Sequence, residues 1–229
     1  MRAFVMPLCF FFSSLSSGIC EVSQKQGIMR SMKHVYIEYP STISLRYGTE
    51  NTYLVKGDSR NLDKVSIRQE GDKLIIGRNN IAAREDNLHP IAIELETTEI
   101  KSIGLLGNTQ LECFAIPFQE LTLDGKGHTQ IKGSLEGKAL TLHLEGRSQL
   151  ALSGKSRSIY LFVAGNFNTD LSFVETQTLE IEAMGQGKIF AKAAELLEVD
   201  LQGNIESIYY GKPRQIKKAI SGKSALKSK

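Results

Sequence analysis

The stretch Leu140-Thr141-Leu142-His143-Leu144-Glu145-Gly146 decides how this chain is read. Aliphatic residues alternate with polar ones, and a glycine closes the phrase. The phrase recurs on both sides: Leu121, Leu123, Gly127; Ile159, Leu161, Gly165; Leu179, Ile181, Gly185; Leu197, Val199, Gly203; it fades at Ile216 and Gly222. From Gly127 to Gly222 the closing glycines follow one another at 19, 19, 20, 18 and 19 residues. A second aliphatic follows each glycine, at Ile131, Leu150, Leu171, Ile189, Ile208 and Leu226.

Period two puts the aliphatics on one face of a strand. A single strand cannot bury its own face. Equivalent strands stacked about 4.8 Å apart bury a continuous aliphatic column. The glycine marks a corner where the chain turns sharply or backbones come close. A fixed period of about 20 residues is the mark of a stacked repeat. The expectation is an all-β, right-handed β-solenoid (a β-helix) with about 19-residue coils, its hand taken from the usual chirality of parallel crossovers. The Leu-x-x-Leu-x-Leu-x-x-Asn pattern of leucine-rich repeats is missing.

Outward from the repeat, the chain divides into a signal peptide (1–20), a linker (21–32) and a single β-solenoid domain (33–229). Within that domain, residues 33–98 are irregular N-terminal strands and 99–229 regular coils. Arg2, the apolar run from Ala3 to Leu15 and the small residues Ser16 to Gly18 read as an export signal, too short to span a membrane. Cys20 lies beside the cleavage site. A lipobox wants a small residue just before the cysteine and Leu three before it; Ile19 and Ser17 stand there, so lipidation of Cys20 is the lesser reading. Cys113 follows Leu111 by two and is expected to point inward as a small apolar residue. Strand patterns run through Val35 and Ile37, Ile43 to Tyr47, Tyr53 to Val55, Val65 and Ile67, Leu74 to Ile76 and Ile91 to Leu95, with turns at Gly57-Asp58, Gly71-Asp72 and Gly77-Arg78. The basic tail, with Lys212, Arg214, Lys217, Lys218, Lys223, Lys227 and Lys229, reads as an end cap that discourages strand pairing, the lesser reading being attraction to an anionic polymer or lipid surface.

The processed chain resembles the GIN-domain family of bacterial auto-transporter adhesin heads. The resemblance rests on the strand pattern from Ile43 to Val55 followed by Asp58-Ser59-Arg60-Asn61-Leu62, on Gly71-Asp72-Lys73-Leu74-Ile75-Ile76, on the repeated strand with its glycine corner, and on the ending Tyr210-Gly211-Lys212-Pro213. The corners depart from the family's frequent Gly-Ser-Gly, reading Gly-Lys-Gly at 125–127 and Glu-Gly-Arg at 145–147. The resemblance implies a secreted or envelope-anchored β-helix with no established enzymatic activity.

The chemistry of the sequence points away from catalysis. Gly-x-Ser-x-Gly, a Walker A loop, the Rossmann fingerprint and His-Glu-x-x-His are all missing. His34, His89, His128 and His143 are dispersed, with no metal-ligand spacing within one element. A net charge of +3 does not argue for nucleic acid. No cofactor and no enzymatic activity are expected.

Residues between the inward aliphatics point outward and stack between coils. One column reads Thr122, Thr141, Tyr160, Glu180, Glu198, Lys217; the next reads Asp124, His143, Phe162, Glu182, Asp200, Ala219. The candidate ligand-binding strip is His143, Tyr160, Phe162, Glu180, Glu182, Glu198 and Asp200. Its aromatics offer a stacking surface and its acids offer hydrogen-bond acceptors. A weak Ca²⁺ site at Glu182 and Asp200 is weighed against a solvated acidic face relieved by Lys217 and Lys218; no dedicated metal site is expected. The expected function is a secreted, cell-envelope binding or structural module, adhesin-like, in the periplasm or at the outer-membrane or cell surface. Its partner class is a cell-envelope polysaccharide or a surface protein, and membrane contact is expected only if Cys20 is lipidated. The alternatives are a β-helix polysaccharide-active enzyme, with paired carboxylates in a groove, and a self-assembling bactofilin-like scaffold.

Overall fold

The computed structural model describes residues 22–79 and 88–229. The repeat lies in β8 (Ser102–Lys192), an extended run of 91 residues that cannot be one straight strand. It turns at its glycines and runs back beside itself. Gly146 and Gly165 have φ of 105° and 109°, a region that L side chains avoid. A Cβ on Gly165 would strike the Gly146 carbonyl oxygen, and one on Gly146 would meet that of Gly127. The glycines are therefore needed twice, for the turn and for the close approach of neighbouring backbones.

β9 (Leu196–Tyr210) continues the pattern. It pairs in parallel with the end of β8, Leu179 beside Leu197, Ile181 beside Val199 and Gly185 beside Gly203. β10 (Gln215–Gly222) and β11 (Ala225–Ser228) both pair in parallel with β9. The inward aliphatics form the core: Leu142, Leu161 and Ile181 are fully buried and Val199 is 2 % exposed. Ile131, Leu150, Leu171 and Ile189 are buried as expected, but Ile208 is not. Ser207 stands beside Ile189, and Ile208 stands beside the half-buried Phe190.

The N-terminal strands are β1 (Val22–Met29), β2 (His34–Ile37), β3 (Ser41–Tyr47), β4 (Asn51–Asp58), β5 (Val65–Glu70), β6 (Lys73–Arg78) and β7 (Ile91–Thr97). β2 lies parallel between β8 and β6, and β3 lies parallel between β8 and β7. Other pairings reverse direction: β1 with β4, β4 with β7, and β5 with β6 are antiparallel.

These pairings correct the expected fold class. The fold is all-β, but the 11 strands of the described residues form one sheet of mixed pairing that is a nearly closed barrel, not a right-handed β-solenoid of regular coils. One reversal is local and the others join segments distant in sequence. Gly71, at φ 63°, turns β5 back onto β6, and β4 returns along β7 instead of advancing the repeat. In the strand order β1-β4-β7-β3-β8-β2-β6-β5, the terminal strands β1 and β5 are drawn together by one side chain. Lys25 Nζ on β1 donates to the carbonyl oxygens of Leu62 (2.6 Å) and Val65 (3.1 Å). The short helix α1 (Ser59–Leu62) joins β4 to β5 and packs against β1; its N-cap Asp58 accepts the Arg60 N–H at 2.9 Å.

β1 is itself a correction, because residues 21–32 read as a linker. Its polar residues sit on an edge strand, where only one face needs apolar side chains. Cys113 is buried, as its spacing indicated. The signal segment, Cys20 and residues 80–87 lie outside the described residues.

Candidate functional site

The outward strip is built by the alternation of β8. Leu161 points inward, so Tyr160 and Phe162 on either side point outward; His143 does the same between Leu142 and Leu144. With Gly165 against Gly146, the 19-residue step sets His143 beside Phe162 and Thr141 beside Tyr160. The His143 ring stands edge-on to both aromatics. Its centroid is 5.7 Å from Tyr160 at 87° between planes, and 6.2 Å from Phe162 at 83°.

Two acidic neighbours complete this cluster. Asp124, one repeat earlier, places Oδ1 3.1 Å from His143 Nδ1. A carboxylate only accepts, so Nδ1–H is the donor and the ring orientation is held. Glu182 lies on the other side of the aromatics. Desolvation by the surrounding residues raises the pKa of the Tyr160 phenol, and the charge of Glu182 and a hydrogen bond with it raise it further. The phenol therefore keeps its proton as a donor through the physiological range.

The acids beyond it lie where the columns put them. Glu180 stands beside Glu198 and Glu182 beside Asp200 across the parallel β8–β9 pair. Repulsion within these pairs is offset locally. Lys217 of β10 stands beside Glu198 and bonds it at 3.0 Å, and Gln202 donates to Asp200 at 3.3 Å. A groove of about 310 Å³ runs along Glu180, Glu182, Glu198, Asp200, Lys217 and Lys218. Among the described residues no group of three or more His, Cys, Asp or Glu side chains could hold a metal ion. Glu182 and Asp200 are two carboxylates, against the six to eight oxygens that Ca²⁺ takes.

All seven candidate residues lie on one outer strip. The candidate set omitted two that the geometry adds, Asp124 and Lys217. Both stood in the same outward columns, and Lys217 was already read as relieving the acidic face; the contact of Asp124 with His143 was not read. The remaining described histidines are elsewhere, with His34 Nδ1 2.7 Å from Ser102 Oγ near the start of β2.

Residues 24–213 match the family described as "Putative auto-transporter adhesin, head GIN domain". The chain belongs to the GIN-domain family. Solved structures with the same fold include "a putative adhesin" from Bacteroides fragilis, 14 % identical, covering 91 % of this chain and 97 % of that one at a TM-score of 0.83. A second "putative adhesin", from Parabacteroides merdae, is 12 % identical over 91 % of this chain and 96 % of that one, with a TM-score of 0.64. A "putative lipid binding protein" from Parabacteroides distasonis is 16 % identical over 90 % of this chain and 96 % of that one, with a TM-score of 0.67. No curated protein matches this GIN-domain chain. At these identities the likeness is one of fold.

Proposed function

We propose that this GIN-domain protein is an exported, non-catalytic binding module of the cell envelope, adhesin-like, working in the periplasm or at the outer surface. Its contact surface is the strip His143, Tyr160, Phe162 and Glu182, and its ligand is an envelope polysaccharide. The observation that carries this reading is the cluster of three outward rings held by Asp124. The negative face of an aromatic ring attracts the C–H-rich face of a pyranose. Glu182, which accepts the Tyr160 O–H, and the phenol oxygen flank that stacking surface as acceptors for sugar hydroxyls. The family's adhesin description and the apolar N-terminal run of the sequence support the export part. Fold similarity alone would not supply a function, so the weight rests on the rings.

A printed array of bacterial envelope polysaccharides tests the reading. Wild type binds at least one of them, and Tyr160→Ala with Phe162→Ala lowers that binding at least tenfold without changing the melting temperature. Equal binding by the two proteins refutes the strip.

A further inference from the structure

A second outer face has no role in that reading. Thr42 of β3 stands beside Gln110 of β8. Gly127 packs on Gly107, so Gln130 follows Gln110; Gly146 on Gly127 and Gly165 on Gly146 then bring Gln149 and Asn168 into the same row. The row is Thr42, Gln110, Gln130, Gln149, Asn168. It lines a groove of about 390 Å³, with the small Ala151 in the adjacent row leaving its floor low.

We propose that this amide row is a second binding site, for a neutral linear polysaccharide lying across the strands. Three observations support it. First, among the described residues none of the four side-chain amides has a hydrogen-bond partner, although stacked Asn and Gln commonly bond to one another. Each offers an acceptor and two donors, the complement of a sugar hydroxyl with one donor and two acceptors. Second, these five residues carry no charge, and the charged positions around them are paired: the next residue of the row, Lys188, lies 3.5 Å from Glu206. Lys132 is 3.2 Å from Glu112, and Asp170 accepts from the Ser172 N–H at 2.9 Å and from its hydroxyl at 2.6 Å. An acidic polymer finds no free cation among these described neighbours. Third, five strand segments side by side make four spacings of about 4.8 Å, or about 19 Å in all. That length exceeds one sugar ring and suits an extended chain.

This site is independent of the aromatic strip, and the experiment keeps them apart. Wild type, Gln130→Ala with Gln149→Ala, and Tyr160→Ala with Phe162→Ala are applied to an array of neutral and acidic linear polysaccharides. Wild type is expected to bind at least one neutral polysaccharide. The glutamine double variant, with an unchanged melting temperature, loses that signal at least tenfold, whereas the aromatic variant keeps it. The proposal is overturned if wild type binds no neutral polysaccharide, if binding is confined to acidic ones, or if the glutamine variant binds like wild type. Loss in the aromatic variant alone would overturn it too and leave the strip as the site.

Discussion

His143 stands edge-on to Tyr160, ring centroids 5.7 Å apart and planes at 87°. Neighbours from successive passes of β8, they meet because Gly165 packs against Gly146. Edge-on aromatic pairs are worth about 0.5–1.5 kcal/mol beyond their buried area. The contact therefore couples the glycine turns of the fold to the shape of the candidate surface.

Leu161 lies directly between the two outward aromatics, and the register is tested by comparing it with Thr141. Leu161→Asp places a charge in the core without a partner and should cost about 4 kcal/mol or more. Thr141→Asp, on the outer face, should change stability by within about 0.5 kcal/mol. Thermal melting of the two variants checks the alternation, and equal shifts would mean that the inward face is wrongly assigned.

How much of this was legible depends on the range of the signal. Period two fixes which way each side chain of β8 points, so the alternation by itself places Tyr160, Phe162 and the four acids on the outer face. The repeat also carries the step between neighbouring passes, hence Glu182 beside Asp200. It says nothing about β1 and β4, which share no repeat with β8 and pair antiparallel. The mixed sheet and its near closure through Lys25 were therefore invisible, because they depend on contacts of long sequence separation. Ile208 misled for a simpler reason. Hydrophobicity suggested an inward position, yet parity from Gly203 puts Ser207 there.

The glycine turns can be separated from the close packing they permit. Gly165 and Gly211 both have positive φ, 109° and 92°. A Cβ on Gly211 would meet nothing within 4 Å, whereas one on Gly165 would collide with the Gly146 backbone. Gly211→Ala should therefore cost only the backbone strain, about 1–3 kcal/mol. Gly165→Ala should cost clearly more, because rigid main chain cannot give way. Denaturant unfolding of both variants measures the difference.

Burial pushes the Cys113 thiol up to about 12 from an ordinary 9.0. The folded state thus favours the protonated form. The corresponding stability is fully present below pH 9.0, and it is lost as pH rises from there toward about 12. Cys113→Ala should flatten part of the alkaline fall in melting temperature. Iodoacetamide at pH 8.5 should leave the Cys113 peptide unmodified in the native protein and alkylate it in denaturant. Rapid labelling of the native protein would place Cys113 at the surface.

The ring cluster is the proposed seat of the ligand, and NMR of the imidazoles tests this. The chain has only 4 histidines, so the ring C–H resonances of His143 can be assigned by comparison with His143→Asn. The protein is titrated with an oligosaccharide cut from the polysaccharide that it binds on the aromatic-dependent array. The His143 ring signals should shift progressively with the Tyr160 and Phe162 ring signals, while those of His34 and His89 stay in place. Saturable binding that leaves His143, Tyr160 and Phe162 unmoved would contradict it.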